Sequence, residues 1–250
     1  MFEIFDSWLR IDRTLEFREV IDRIGRKEIK LLAPPSLESF EERAMRVGSE
    51  QPYHEAICGP MFSGKTREMH RQYRVFQACG FKIQVFKRDI DKRYSRRGIT
   101  THDGITFNEN DVFLVRNTED IEKQLRAETD VVMIDEAQFY ESSLVEMVEG
   151  LVEKGKIVIT TVLPTDYTGK TFRIAGDLLA RADYITSLTA RCTYVQDGGF
   201  CRQPATRTFR KVASDQQVLI GGSESYEPRC RKHHRKEIME RSQAKLDSSH

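Results

Sequence analysis

Hydrophobic and polar positions along residues 53–188 change repeatedly between two periods. Short apolar runs are typical of buried strands, whereas apolar residues at intervals of three and four are typical of helices. The predicted strands are Tyr53–Cys58, Phe81–Lys87, Asp111–Val115, Val131–Asp135, Lys156–Leu163 and Tyr184–Leu188. The predicted helices are Thr66–Cys79, Thr118–Leu125 and Ser142–Lys154. This alternation predicts an α/β fold, in which helices cover both faces of a parallel sheet and ligands bind at the carboxyl ends of its strands.

The chain divides into four segments by pattern and composition. Residues 1–50 have apolar residues at roughly helical spacing and predict a helical extension, either docked on the main domain or serving as a partner-binding arm. Residues 51–190 hold the alternating strands and helices. After about residue 190 the helical period is lost and turns and cysteines predominate, so we expect a second small unit over 191–236. Residues 237–250 are expected to form a flexible tail.

Composition and charge restrict the classes of partner. Of the 250 residues, 39% are hydrophobic and 32% are charged, as in a soluble globular protein, and the net charge is only +1. A chain so nearly neutral has no general basic field for holding nucleic acid or a membrane surface. The sequence carries neither a long apolar run nor a signal-peptide pattern, so we expect a cytoplasmic protein.

Residues 59–66 carry the most specific chemical signal, the sequence Gly-Pro-Met-Phe-Ser-Gly-Lys-Thr. It matches a phosphate-binding loop, in which backbone N–H groups surround a polyphosphate, the lysine reaches the β- and γ-phosphates and the hydroxyl holds Mg²⁺. The pattern predicts a nucleotide-binding protein with Lys65 and Thr66 in these two roles. The predicted cofactor-binding residues are Gly59, Pro60, Met61, Phe62, Ser63, Gly64, Lys65, Thr66 and Asp135.

A second acid completes such a magnesium site. The apolar run Val131–Ile134 is followed by Asp135 and Glu136, which places both acids at the carboxyl end of a predicted strand. Asp135 is predicted to bind Mg²⁺ together with Thr66, directly or through water. Glu136 is predicted to turn toward the nucleophile and to accept a proton from a hydroxyl or water. The alternative for both acids is an ordinary surface position after a strand.

The five cysteines are an odd number, and three of them lie late in the chain near histidines. Cys192 and Cys201 are separated by eight residues, and Cys230 is separated from His233 by two. Two such pairs predict a tetrahedral structural zinc site in a reducing compartment rather than a disulfide framework. His234 is an alternative fourth ligand, and unligated thiols in a small core are the alternative to any metal.

Taken in order, these motifs resemble those of the type II thymidine kinases over about residues 55–235. The motifs are Gly59–Thr66, Asp91–Tyr94, Thr101–Gly104, Asp135–Phe139, Asp166–Phe172, Cys201–Ala205 and Gly221–Cys230. The resemblance implies a RecA-like P-loop NTPase domain joined to a small zinc-stapled lasso domain. It further implies transfer of the ATP γ-phosphoryl group to the 5′-hydroxyl of thymidine, giving dTMP in pyrimidine deoxynucleotide salvage, by a homo-tetramer.

The resemblance also assigns individual residues. Glu136 is implied to be the general base for the 5′-hydroxyl, Lys65 to grip the phosphates, and Arg93, within a cation-rich stretch, to lie near the phosphoryl path. The implied substrate-binding residues are Met61, Gln138, Phe139, Leu163, Tyr167, Phe172, Thr208, Val218, Leu219, Ile220, Gly221, Gly222 and Tyr226. For Phe172 and Tyr226, plain packing is the alternative role.

The sequence departs from the family pattern beside the expected pocket. Leu163 is followed by Pro164 where family members commonly have aspartate, and this removes a carboxylate and a backbone N–H near the expected position of the nucleobase.

Two other functions are compatible with the motifs. One is a P-loop ATPase acting on nucleic acid through a zinc module, which the balanced charge disfavours. The other is a degenerate kinase that senses nucleotides, which the intact Lys65, Thr66 and acids disfavour.

Overall fold

The computed structural model describes residues 52–89, 106–196, 198–212, 216, 219 and 221–247. All of them belong to the structural unit Phe40–His250. Some of the predicted features fall outside the described residues. These are the extension 1–50, the motifs Asp91–Tyr94 and Thr101–Gly104, and the site residues Arg93, Val218 and Ile220.

A six-stranded sheet forms the centre of this unit, and all of its neighbouring strands are parallel. Its strands are β1 (His54–Cys58), β2 (Ile83–Arg88), β3 (Val112–Val115), β4 (Val131–Ile134), β5 (Ile157–Val162) and β6 (Tyr184–Ser187). The helices of this region are α1 (Lys65–Ala78), α2 (Thr118–Gln124), α3 (Ser143–Glu153) and α4 (Arg173–Arg181). The predicted α/β fold is confirmed, and each strand and helix that the pattern predicted is present with ends within two residues of the predicted ones.

The strand order brings the predicted chemical groups to one edge of the sheet. The strands follow the order β3-β2-β4-β5-β1-β6, so β5 lies between β1, which leads into the phosphate-binding loop, and β4, which ends before Asp135. Thr160 of β5 pairs with Ala56 of β1 and with Ile134 of β4. Because parallel strands end at a common edge, the loop and the acids meet around the carboxyl end of β5.

Side chains on the two faces of the sheet form separate hydrophobic cores. One face packs against α1, whose Met69, Tyr73 and Phe76 are buried. The other face packs against α2, α3 and α4 through Ile121, Leu144, Val148, Ile174 and Leu178. Burying an apolar side chain of this size contributes about 1.5–3 kcal/mol, so packing is what fixes these helices on the sheet.

The described residues between 190 and 247 form short strand pairs and one long helix. The antiparallel pairs are β7 (Ala190–Arg191) with β10 (Pro204–Ala205), β8 (Val195–Gln196) with β9 (Gly199–Phe200), and β11 (Arg207–Arg210) with β12 (Tyr226–Arg229). Helix α5 (Arg231–Asp247) follows. The buried hydrophobic cluster of this region contains only Ala190, Cys192, Ala205 and Cys230 among the described residues. A core this small provides little stability by itself, so other links must hold the segments together.

Helix α5 was not predicted from the sequence, because the helical period is lost after about residue 190. Helix α5 includes residues 237–247, which the sequence analysis assigned to a flexible tail. Its sequence is charged on every side, so it has no apolar stripe to detect. A tertiary contact stabilises it instead, since Arg229 Nε donates to Glu237 Oε2 at 2.6 Å. No helix in the described ranges combines the length and apolar character needed to cross a membrane.

Candidate active site

The phosphate-binding loop joins β1 to α1, as the motif predicts. A Cβ atom on Gly59 would lie 2.6 Å from the carbonyl oxygen of Leu188 and 2.5 Å from Ser63 Oγ, so only glycine fits there. Gly64 has φ +88°, in the left-handed region that favours glycine. Phe62 also adopts a left-handed conformation, with φ 66°. The loop therefore has a specific backbone shape at the N-terminus of α1, where free N–H groups and the helix dipole favour an anion.

Lys65 and Thr66 open helix α1 and point their polar atoms into the loop region. Lys65 is buried, and its Nζ donates to the Pro60 carbonyl oxygen at 3.2 Å, so the ammonium group lies over the loop. Thr66 Oγ1 donates to Asp135 Oδ1 at 3.4 Å. The two predicted magnesium ligands, which are far apart in sequence, are therefore adjacent in the fold.

Asp135 is a buried carboxylate with donors around it. Thr161 Oγ1 donates to its Oδ1 at 2.6 Å, and Lys87 Nζ lies 3.7 Å from its Oδ2. Lys87, at the end of β2, is also held over the ring of Phe107, at 5.0 Å from the centroid. Hydrogen bonds thus fix the position of Asp135 after β4, and Lys87, to which the sequence analysis assigned no role in the site, adds a cation.

Glu136 follows with an unusual backbone, since its φ is 54°. Its N–H donates to Thr161 Oγ1 at 2.9 Å, and its Oε2 accepts from Gln138 Nε2. Gln138 is buried and accepts in turn from the Leu163 N–H at 2.8 Å. Burial raises the pKa of Glu136 above its ordinary value, the Lys65 ammonium opposes this rise, and the negative charge of Asp135 adds to it. A raised pKa makes the carboxylate a stronger proton acceptor.

Apolar side chains that are predicted to line the substrate pocket lie next to these acids. Met61, Phe139, Leu163 and Phe172 all belong to one hydrophobic cluster. The rings of Phe139 and Phe172 meet edge to face, with centroids 6.1 Å apart. Leu163 and Phe172 are buried, whereas Met61 and Phe139 are partly exposed. The cluster therefore has a packed base and two side chains with surface available for a ligand.

The segment predicted to form the lasso contacts the phosphate-binding loop through β11. Thr208 is buried, and its Oγ1 accepts from the Met61 N–H of the phosphate-binding loop at 3.0 Å. The hydroxyl of Tyr226 donates to the Leu219 carbonyl oxygen at 2.7 Å and accepts from the Leu219 N–H at 3.2 Å. Leu219 is thereby held beside β12 by its backbone. The Thr208 hydrogen bond thus joins the predicted lasso segment to the loop that is predicted to hold phosphates, whereas the Tyr226 hydrogen bonds lie within the lasso segment.

Tyr167 is fixed by an interaction that the sequence analysis did not predict. Arg210 is fully buried, and its guanidinium carbon lies 3.4 Å from the centroid of the Tyr167 ring. Nη1 of Arg210 donates to the Gln216 carbonyl oxygen at 2.6 Å. One face of the predicted pocket tyrosine is therefore covered by a cation.

Gly221 and Gly222 belong to a tight turn before β12. A Cβ atom on Gly221 would lie 2.5 Å from Ser225 Oγ, so a larger residue would force that side chain to move. The Gly222 N–H donates to Glu224 Oε1 at 2.5 Å. Both glycines belong to the predicted lasso segment.

Cys192, Cys201, Cys230 and His233 form a single cluster, as predicted. Their possible ligand atoms all lie within 4.8 Å of one another. His233 Nδ1 is 3.6 Å from Cys192 Sγ and 3.3 Å from Cys230 Sγ. Zinc–ligand lengths near 2.0–2.3 Å at tetrahedral angles place ligand N and S atoms about 3.5 Å apart, so the cluster fits this ion.

His234, the alternative fourth ligand, lies outside the cluster. Its Nε2 is 2.9 Å from the carbonyl oxygen of Tyr167. The two adjacent histidines at the start of α5 therefore have different partners, since His233 belongs to the cysteine cluster and His234 anchors the helix to the segment carrying the pocket tyrosine.

The sequence profile of the thymidine kinase family matches residues 54–234. The match includes the phosphate-binding loop, both acids and the Cys/His cluster. The chain belongs to the thymidine kinase family. A thymidine kinase of Bdellovibrio bacteriovorus is 40% identical over 184 residues, which are 74% of this chain and 86% of that relative. The assignment to thymidine kinases, first expected from the motifs, is confirmed by both findings.

Two solved structures resemble the thymidine kinase chain more distantly. The flagellar accessory protein FlaH from Methanocaldococcus jannaschii is 14% identical with a TM-score of 0.41, over 68% of this chain and 94% of that chain. The ATPase domain of another protein is 13% identical with a TM-score of 0.39, over 70% and 82% of the respective chains. Likenesses this weak carry no weight for function, and the parallel sheet itself establishes the fold.

Three residues of this candidate site were missed from the sequence. Thr161 contacts both acids, Lys87 lies beside Asp135, and Arg210 covers Tyr167. The one available signal was the Thr160–Thr161 pair, because two hydroxyls interrupt an otherwise apolar strand. Lys87 and Arg210 look like ordinary surface cations in sequence, and only the fold reveals the contact of Lys87 with Asp135 and the burial of Arg210.

Proposed function

We propose that the chain is an ATP-dependent thymidine kinase that transfers the γ-phosphoryl group of ATP to the 5′-hydroxyl of thymidine. The observation that carries the proposal is the position of Glu136. Its carboxylate lies at the carboxyl edge of the sheet, beside Lys65 and Asp135, and its pKa is raised mainly by burial. A proton acceptor next to a phosphate-binding loop is what phosphoryl transfer to an alcohol requires.

The phosphates would be held by the loop and by Lys65. Backbone N–H groups at the start of α1 favour the anion, and the Lys65 ammonium already lies over the loop. The hydroxyl of Thr66 and the carboxylate of Asp135 are oxygen ligands of the kind that Mg²⁺ prefers, and they are adjacent. When bound, Mg²⁺ would neutralise charge on the β- and γ-phosphates.

Glu136 would accept the proton of the 5′-hydroxyl as the new O–P bond forms. The bond between the γ-phosphorus and the β–γ bridging oxygen breaks at the same time, and ADP leaves with that electron pair. Gln138 orients the carboxylate, since its Nε2 donates to Glu136 Oε2 while its Oε1 is held by the Leu163 N–H. We also place Arg93 near the phosphoryl path, on the family resemblance alone.

The nucleoside would lie against the apolar cluster and under the lasso. Met61 and Phe139 keep exposed surface for a base, whereas Phe172 packs behind Phe139. Backbone groups around Leu219–Gly222 would read the base edge, and Val218 and Ile220 are assigned there by resemblance. Enclosing the reactants protects the phosphoryl group from water.

The remaining features follow the same proposal. Zn²⁺ would be a structural ion at the Cys192, Cys201, Cys230 and His233 cluster, where it would join segments that share only a small core. A role in deoxynucleotide salvage, a cytoplasmic location and assembly as a homo-tetramer are proposed from the family resemblance.

The direct test is product formation by the purified chain. With Mg-ATP and thymidine we expect dTMP and ADP in equal amounts, measured by chromatography, and we expect no dTMP when Mg²⁺ is withheld. In a mixture of nucleosides, thymidine should be phosphorylated in preference to deoxycytidine and the purine deoxynucleosides. A wrong base would leave buried hydrogen-bonding groups of the site without partners. ATP hydrolysis without any phosphorylated nucleoside would contradict the proposal.

A further inference from the structure

Thr161 lies at a position where an apolar residue would be expected. It is fully buried near the carboxyl end of β5 and pairs in register with Ile57 of β1. Side chains alternate along a strand, so Thr161 shares its face with Ile159, which packs in the core beneath α1. A hydroxyl in such a place is costly unless it is hydrogen-bonded.

The Thr161 hydroxyl contacts both acids of the site. Oγ1 donates to Asp135 Oδ1 at 2.6 Å and accepts from the Glu136 N–H at 2.9 Å. One oxygen atom therefore sets the rotation of the first carboxylate and the backbone of the second acid. The backbone of Glu136 is in the left-handed region, with φ 54°, which a non-glycine residue adopts only when its surroundings hold it there.

Thr160 offers an internal comparison. It is as deeply buried as Thr161, but it lies on the opposite face of β5, where its Oγ1 is 2.9 Å from His54 Nε2. Burial lowers the pKa of His54 to about 4, so this ring is neutral at ordinary assay pH. The two neighbouring threonines thus have the same chemistry and depth, but only Thr161 contacts the acids.

We propose that Thr161 is a positioning residue that holds Asp135 and Glu136 in their working orientations. The inference rests on the proposed function for the roles of the two acids. With Oδ1 of Asp135 engaged by Thr161, Oδ2 is directed toward Lys87, at 3.7 Å. Thr66 approaches the same Oδ1 less closely, at 3.4 Å, so Thr161 makes the shorter of the two hydroxyl contacts.

The test compares Thr161→Val, Thr161→Ser and Thr161→Cys with Thr160→Val. Residues that orient metal ligands typically contribute about 10–100-fold to metal affinity or activity. We therefore expect Thr161→Val to lower kcat by about 10–100-fold, with KM for thymidine changed less than about threefold. Thr161→Ser keeps the hydroxyl, so its kcat should lie within about threefold of that of the unaltered chain. Thr161→Cys introduces a thiol of similar size that forms weaker hydrogen bonds, so its kcat should stay low.

A second readout does not depend on turnover. Mn²⁺ binding in the presence of a non-hydrolysable ATP analogue, followed by electron paramagnetic resonance, should weaken about tenfold in Thr161→Val. Thr160→Val should lose stability to heat through its broken bond to His54, while its Mn²⁺ affinity and kcat stay close to those of the unaltered chain. If Thr161→Val does not fold, the Ser and Cys variants carry the comparison.

Equal kcat and Mn²⁺ affinity in Thr161→Ser and Thr161→Cys would overturn the inference. So would losses in Thr161→Val that merely match those of Thr160→Val, because both variants would then report general destabilisation. Failure of the unaltered chain to phosphorylate thymidine would instead contradict the proposed function, and the Mn²⁺ measurement would still test whether Thr161 orients Asp135.

Discussion

Replacing Glu136 with glutamine should lower kcat for thymidine phosphorylation by about 10²–10⁴-fold, the range that a general base contributes. Glutamine keeps the shape and an acceptor oxygen for Gln138 Nε2, but it cannot take a proton from the 5′-hydroxyl. ATP binding should change little, since Lys65 and the loop backbone are untouched. Steady-state rates together with calorimetric ATP binding separate these two effects.

The matched control is Glu141→Gln. Glu141 is an exposed acid a short distance along the chain, and its Oε1 accepts from the Thr118 N–H at 2.9 Å. This variant should keep kcat within about threefold of the unaltered chain, because Glu141 contacts no group of the site described above. If Glu136→Gln retains a tenth or more of the activity, Glu136 is not the proton acceptor, because loss of a general base lowers kcat by at least about 10²-fold.

Replacing Cys230 with serine should remove the bound metal and disable the lasso. A serine hydroxyl is a poor zinc ligand, and the remaining core of this region is too small to hold the segments together. We expect zinc to fall from about one ion per chain to near zero, and thymidine phosphorylation to fall at least about tenfold. Metal analysis by mass spectrometry and a lower melting temperature would report the loss.

Cys79→Ser is the control for this experiment. Cys79 is an exposed free thiol at the end of α1, away from the cluster, so its removal should leave zinc content and activity unchanged. Zinc bound equally by the Cys230→Ser variant and the unaltered chain would remove Cys230 from the ligand set. If the unaltered chain were fully active without zinc, the alternative interpretation would hold, in which these cysteines are unligated thiols in a small core.

The strands, the loop and the two acids could be predicted because their signals are local. Within the loop itself, Gly64 is required by its backbone angle and Gly59 by its closeness to the Ser63 side chain, and Asp135 and Glu136 directly follow an apolar strand. Adjacent residues in sequence carry this information without any knowledge of the fold. The parallel sheet then brings the two motifs to the same edge.

The zinc ligands were also predictable, although Cys192 and Cys201 are unusually far apart. The residues between them form the β8–β9 hairpin, in which Val195 pairs with Phe200. The Cys201 N–H donates to the Tyr194 carbonyl oxygen at 2.8 Å, and the chain returns beside Cys192. Because the hairpin returns the chain beside Cys192, the ligand atoms of Cys192 and Cys201 lie within 4.8 Å of each other despite their separation in sequence.

Contacts across the fold could not be predicted. Thr161 meets Asp135 from a neighbouring strand 26 residues away, and Arg210 reaches Tyr167 from the lasso side. No sequence pattern distinguishes Arg210, which is fully buried, from the exposed cations around it. Helix α5 was missed for a related reason, because its stability comes from contacts such as Arg229 with Glu237 rather than from an apolar face.

The most direct measurement is a crystal structure of the chain with thymidine, Mg²⁺ and a non-hydrolysable ATP analogue. The account predicts that a Glu136 carboxylate oxygen lies within hydrogen-bonding distance of the 5′-oxygen, about 2.6–3.2 Å, with the γ-phosphate on the other side of that oxygen. A thymidine bound with its 5′-oxygen far from Glu136, and with that carboxylate facing only Gln138, would contradict it.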